Sequence, residues 1–219
     1  MTRVDVYDLD DTLYLERDYV RSGFRAVGAW LAQEHGLAGF ADQAWELFDA
    51  GTRGRIFDEA LTAMAADGLL ETVPELVRRY RAHPPAISLL PDADAAMERS
   101  RACGHRIGLI TDGPVASQRA KITQLGLEDR CDVIIVTGEL DGDRSKPDPT
   151  AFRLMEERTG VSGGALTYLG DNPAKDFIAP AARGWHTVRV RRPEGLHAVV
   201  ASGPEVGREL ADLHDWLPC

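Results

Sequence analysis

Lysine is nearly missing from this chain: three residues against 22 arginines in a length of 219. A lysine inside a motif is therefore notable. Basic charge is also in deficit. Twenty-five lysines and arginines face 35 aspartates and glutamates, a formal net charge of -10. A nucleic-acid or anionic-membrane partner calls for a basic face, so the deficit argues against both. It leaves room for a small anion in a local basic pocket. No apolar run approaches the roughly 18 residues that a membrane helix needs. The opening "MTRVDVYDLD" reads as a strand and has no signal-peptide core. Cysteine is scarce: Cys103, Cys131 and Cys219 lie far apart, with neither metal-ligand spacing nor a disulfide framework. That pattern predicts thiols without function and a reducing, cytoplasmic setting.

Two kinds of patterning are present. "RVDVYD", "HRIGLIT", "CDVIIVT", "ALTYLG" and "WHTVRVR" are short runs rich in Val, Ile, Leu or Thr, the signature of strands. Helical stretches separate most of them. "PDADAAMERSRACG" runs from Pro91 to Gly104 and "PVASQRAKITQLG" from Pro114 to Gly126, start and stop signals in the right order. "DPTAFRLMEERTG" adds Asp148 as an N-cap with Pro149 at the first helical position. Alternation of this kind predicts a parallel sheet with helices on both faces. A further helix is expected in "GPEVGRELADLHDWLPC".

Residues 16–86 differ: they show no strand pattern. Val20, Phe24, Val27 and Leu31 fall at helical spacing with Trp30 beside them, and three more helical stretches follow. A helical insertion therefore follows the first strand, with Trp30 and Trp45 expected in its core.

Four strand ends change from apolar to polar. The first gives "DLDDTL" with Asp8 and Asp10, the second "ITDG" with Thr111. The third leads to Lys146 in "KPDP", and the fourth gives "GDNPAKD" with Asp171 and Asp176. Open parallel sheets bind ligands at the carboxyl ends of their strands, so all four point to one place. Up to four clustered carboxylates would repel and raise one another's pKa values. A hard divalent cation such as Mg²⁺, with Lys146 as a further positive charge, resolves the repulsion.

These four motifs, in this order, resemble the haloacid dehalogenase superfamily, whose members are mostly phosphohydrolases. The resemblance implies a Rossmann-like parallel sheet core over residues 1–15 and 87–219, with a type-1 helical cap over 16–86. It implies a Mg²⁺-dependent phosphatase acting on a small phosphorylated metabolite. Asp8 would be the nucleophile, forming an aspartyl-phosphate. Asp10 would be the general acid and base. Thr111, the backbone of Asp112 and Gly113, and Lys146 would hold the phosphoryl group. Mg²⁺ would bind Asp8, the main-chain carbonyl of Asp10, and Asp171. Asp176 would orient Lys146 or a metal-bound water. The cap would exclude water and bulky substrates.

Position 112 departs from the pattern, since many relatives carry Asn there. An Asp carboxylate beside a phosphate is unfavourable unless it points away. Arg53 and Arg55 reach for a substrate anion or lie on an exposed helix; Arg21 and Tyr14 flank the entrance or only pack there. The "VRVRR" run is expected to be an exposed strand end. The same superfamily includes dehalogenases and phosphomutases, and a phospho-accepting signalling domain uses a similar Asp, Thr and Lys set. Asp10 speaks against the dehalogenase, because halide needs no proton donor in order to leave.

Overall fold

The computed structural model describes residues 2–219. The chain divides into two compact units, Met1–Arg17 with Ile87–Cys219, and Asp18–Ala86.

In the first unit, strands β1 (Val4–Tyr7), β2 (Arg106–Thr111), β3 (Val133–Val136), β4 (Leu166–Gly170), β5 (His186–Val190) and β6 (Arg208–Leu210) form one sheet in the order β3-β2-β1-β4-β5-β6. Every pairing is parallel. The β-branched, apolar composition of these runs suits strands covered on both sides. β1, "VDVY", is buried at every residue. One core cluster joins Val6, Ile110 and Ile135 of the sheet to Phe152 and Met155, with Tyr168, Phe177 and Trp185 completing it. Phe152 stacks edge-on against both Tyr168 and Trp185, at 5.2 and 5.6 Å between ring centres. Phe152 and Met155 belong to helix α7 (Thr150–Thr159), while Asp148 Oδ1 accepts from Thr150 N at 2.8 Å, just ahead of its first turn.

The second unit is helical. It contains α2 (Phe40–Asp49), α3 (Ile56–Ala63), α4 (Val73–Ala82) and all but the start of α1 (Glu16–His35). Its core is Phe24, Phe40, Phe48 and Phe57 with Tyr19 and Leu61. Trp30 and Trp45, expected in that core, are only half-buried. Each carries an arginine over its ring instead, Arg79 at 4.4 Å and Arg21 at 4.9 Å. Arg53 is spent within the same unit, donating to Phe48 O and Thr52 O at 2.7 Å.

Three expectations need correction. The segment after β5 forms β6 and turns, with no helix: "REL" adds an edge strand, and Gly203, Pro204 and Gly207 break the helical pattern before it. Cys103 and Cys219 are paired in a disulfide across 116 residues of sequence, with Cα atoms 5.9 Å apart. The pairing arises because the last segment folds back along α5 (Pro91–Ala102). Arg99 there donates to Trp216 O and Leu213 O at 3.1 and 2.6 Å, and Asp92 Oδ2 accepts from Leu213 N at 2.7 Å. The pairing removes the cysteine argument for a reducing compartment. Finally, "VRVRR" is not exposed: Arg189 and Arg192 are buried. Among the described residues no helix is long and apolar enough to cross a membrane.

Candidate active site

With β1 central and β4 beside it, connections leave the sheet in opposite directions on either side of the β1–β4 pair. The carboxyl ends of these two strands border the switch point where open parallel sheets bind ligands. Asp8 follows β1 and Asp171 follows β4. Asp8 N still pairs with Leu169 O at 2.8 Å, so the sheet ladder itself fixes the start of the loop. The loop then turns sharply, and Asp11 adopts φ 53°, unusual for a residue with a side chain. Its carboxylate over-determines that conformation by accepting from Glu16 N and Leu196 N at 2.8 and 2.7 Å.

Asp8, Asp171 and Asp176 converge, with ligand atoms within 4.8 Å of one another, and all three are buried. Lys146 is their counter-charge. Its Nζ lies 2.7 Å from Asp8 Oδ1, 2.8 Å from Asp176 Oδ1 and 2.9 Å from the Tyr168 hydroxyl. The contact with Asp176 is one of charge, without hydrogen-bond alignment. Asp176 Oδ2 accepts from Asn172 N and Asp171 N at 2.8 and 3.2 Å. Gly170 permits this approach, since a Cβ there would stand 2.6 Å from that oxygen.

One ammonium does not balance three carboxylates. Burial, reinforced by Asp176, Asp8 and Asp11, pushes the Asp171 carboxyl up to about 10. Burial and Asp176 push Asp8 up to about 7 against the pull of Lys146. A cluster of oxygen donors lacking positive charge fits a hard divalent cation such as Mg²⁺.

Asp10 is in the opposite condition. Burial would raise its carboxyl, but Lys121, Tyr14 and Gln118 outweigh it and hold the group below the usual range. Lys121 Nζ donates to Oδ1 at 2.7 Å, Tyr14 donates to the same oxygen, and Gln118 Nε2 donates to Oδ2 at 3.1 Å. Lys121 and Gln118 come from α6 (Val115–Gln124), three residues apart and so on one helix face. Gln118 also donates to Thr111 Oγ1 at 2.5 Å. The Thr111 hydroxyl is fully buried.

The Asp112 side chain is absorbed by the protein. It accepts from Thr137 Oγ1 at 3.0 Å, Lys146 N at 3.1 Å and Lys175 Nζ at 3.0 Å. Against the effect of burial, Lys146 and Lys175 keep it below the usual carboxylate range. Gly113 has φ 135°, a conformation that favours glycine at the turn out of β2.

A cavity of about 130 Å³ opens onto this constellation. Asp8, Asp10, Asp112 and Asp171 line it, and so do Glu16 and Lys175, whereas Thr111, Gly113, Lys146 and Asp176 do not border it. Burial, with Asp10 nearby, pushes Glu16 up to about 8. A wider cavity of about 380 Å³ lies at the other end of the strands, beside Arg3, His186 and Arg208, and no motif residue borders it.

Sequence reasoning missed Lys121, Lys175 and Gln118. The available signal was rarity: all three lysines of the chain end at this site, each paired with an aspartate. It also missed the two buried arginines. Arg189 donates to Asp171 O at 3.1 Å, and Arg192 reaches Thr12 O at 2.7 Å.

Comparison with known proteins gives one family. The family model of haloacid dehalogenase-like hydrolases matches residues 4–184. A phosphoglycolate phosphatase of Cereibacter sphaeroides is 31% identical over 219 residues, covering 97% of this chain and 94% of that protein. A phosphoserine phosphatase of Thermus thermophilus is 32% identical over 140 residues; the match covers 64% of this chain and only 55% of that relative's length. Among solved structures, an HAD phosphatase from Thermococcus onnurineus superposes with a TM-score of 0.65 at 25% identity, covering 99% of this chain and 96% of that one.

Proposed function

Since the chain belongs to the haloacid dehalogenase-like hydrolases, we propose that it is a Mg²⁺-dependent phosphatase of small phosphomonoesters, working through an aspartyl-phosphate on Asp8. The observation that carries the reading is the contrast between two neighbouring aspartates on one small cavity. Asp8 meets Lys146 beside a metal-ready carboxylate cluster, while Asp10 is gripped by three donors of its own. Displacing halide from a haloacid needs neither the cluster nor a proton carrier, so the contrast favours phosphoryl transfer. The cavity of about 130 Å³ suits a compact ester. The relatives' names, phosphoglycolate and phosphoserine phosphatase, support two- and three-carbon phosphoesters as first candidates.

In the first step an Asp8 carboxylate oxygen attacks phosphorus, and the ester P–O bond breaks. The departing alkoxide takes a proton from Asp10. In the second step water attacks the same phosphorus while Asp10 accepts its proton. The bond to Asp8 breaks, and inorganic phosphate is released. Lys146 keeps the charge of Asp8 compensated through both steps. The Thr111 hydroxyl and the backbone N–H groups of Asp112 and Gly113 hold phosphoryl oxygens. Mg²⁺ held by Asp8, Asp171 and the Asp10 carbonyl, with Asp176 in support, would offset the charge that the carboxylates and phosphate bring together.

The test is hydrolysis of a panel containing phosphoglycolate, phosphoserine and sugar phosphates in the presence of Mg²⁺. Asp8→Asn, which keeps the volume and removes the charge, should abolish release of phosphate. Substantial residual turnover in that variant would remove Asp8 as nucleophile.

A further inference from the structure

We propose that Lys175 is a further ammonium, beside Lys146, that touches the substrate's phosphoryl oxygens. The inference rests on the phosphatase reading and adds a residue to its binding site. An ammonium has three N–H groups to give. Lys146 Nζ already gives two of its own, to Asp8 at 2.7 Å and Tyr168 at 2.9 Å, and faces the Asp176 charge at 2.8 Å. Its side chain is 0% exposed, and it does not border the cavity. Lys121 is similarly sunk, 6% exposed, and is bonded to Asp10. Lys175 differs on each point. It lines the cavity, its side chain is 33% exposed, and among the described residues its Nζ has one hydrogen-bond partner, Asp112 Oδ2 at 3.0 Å. Two N–H groups therefore remain for a ligand without breaking that bond.

The position fits the chemistry. Asp112 N and Gly113 N are the backbone donors expected around the phosphoryl group, and the Asp112 carboxylate tethers Lys175 beside them. The pairing also explains how a carboxylate is tolerated at position 112. Its charge is held by Lys175 and Lys146 N, so the phosphate meets an ammonium at this wall and no bare anion.

The competing explanation is that Lys175 only neutralises Asp112, and a double-mutant cycle separates the two. Binding of inorganic phosphate in the presence of Mg²⁺ is measured by calorimetry for the wild type, Lys175→Met, Asp112→Asn and the double variant. Lys175→Met should weaken phosphate by about tenfold to a hundredfold, the range for a charge-assisted hydrogen bond. The same change made in the Asp112→Asn background should still weaken it about tenfold or more. A loss that vanishes in that background, or unchanged affinity in both, overturns the assignment. If Lys175→Met alone does not fold, the double variant compared with Asp112→Asn carries the test, since neither leaves an unpaired carboxylate at 112.

A second arm asks which anionic oxygen is gripped. KM is compared for phosphoglycolate and 2-hydroxyethyl phosphate, which replaces the carboxylate by a neutral group. An equal rise in KM for both esters in Lys175→Met supports contact with phosphoryl oxygens. A rise confined to phosphoglycolate places Lys175 on the carboxylate and overturns the proposal. Absence of hydrolysis by the wild type would sink the phosphatase reading, while the calorimetry reads Lys175 without any turnover.

Discussion

Lys121 Nζ and Asp10 Oδ1 are 2.7 Å apart, deep enough that the lysine side chain is only 6% exposed. The residue proposed to trade protons with substrate and water is thereby held as a carboxylate, with Tyr14 and Gln118 as further donors. Such a group is well prepared to accept water's proton in the second step. Delivering a proton in the first requires the incoming ester to shift that balance.

Removing Lys121 should therefore move a measurable pKa. Lys121→Met takes away the strongest force holding Asp10 low, leaving burial, which raises it, against only the weaker pull of Tyr14 and Gln118. If the carboxylate form of Asp10 carries the rate of dephosphorylation, the acidic limb of the kcat profile should move to higher pH. With an activated aryl phosphate, the first step needs no acid and the shift is read cleanly. An acidic limb identical to wild type would show that Asp10 does not set it.

The buried carboxylate cluster predicts a coupling between pH, Mg²⁺ and stability. Asp171 titrates near 4 when unfolded and is pushed up to about 10 in the fold. Between those values the native state binds the extra proton, so this group's contribution to stability falls as pH rises from about 4 towards about 10. Mg²⁺ requires the deprotonated carboxylate and binds only the folded cluster. The rise in Tm on adding Mg²⁺ should thus be larger at about pH 8 than at about pH 5, and Asp171→Asn should flatten the difference. Equal rises at both pH values would contradict the assignment of Asp171 as a ligand.

Much of this was legible in the sequence because strand periodicity and strand-end aspartates are local signals. "VDVYDLDD" announces both a buried strand and a polar turn, and "ALTYLG" followed by "DNPAKD" does the same at β4. The partners were not legible. Lys121 and Gln118 face Asp10 only because α6 lies over the end of β1, and nothing in "QRAKI" marks that placement. Arg189 and Arg192 misled for a related reason. Guanidinium groups are normally solvated, yet here each is buried by donating to backbone carbonyls of the loops around the site. Cys103 and Cys219 were invisible as a pair because they lie 116 positions apart in the sequence.

That disulfide is directly testable. Protein purified without reductant should show one titratable thiol, Cys131, and after reduction in denaturant all three. Cys219→Ser should lower stability in urea by about 2–4 kcal/mol, since the bond constrains a very long loop in the unfolded chain. Three reactive thiols in the unreduced, unfolded protein would rule the pairing out.

The last expectation concerns the brace behind the loop that carries Asp8. Arg192 Nε and Nη2 fork onto Thr12 O at 3.2 and 2.7 Å, and Nη2 lies 2.8 Å from Asp92 Oδ2. Both side chains of the ion pair are 6% exposed. Arg192→Ala leaves the Asp92 charge without its partner and the Thr12 carbonyl without its donors. Breaking a buried pair from one side costs about 3–5 kcal/mol, read as a drop in the urea midpoint. Arg192→Lys keeps the charge but not the fork. It should recover part of the stability while leaving kcat low, because Thr12 lies four residues beyond Asp8 on the same turn. Replacing both partners, as in Asp92→Asn with Arg192→Met, should cost less than Arg192→Ala alone, since no buried charge is stranded. If Arg192→Ala matched the wild type in both urea midpoint and kcat, the ion pair would be idle and the loop would be held without it.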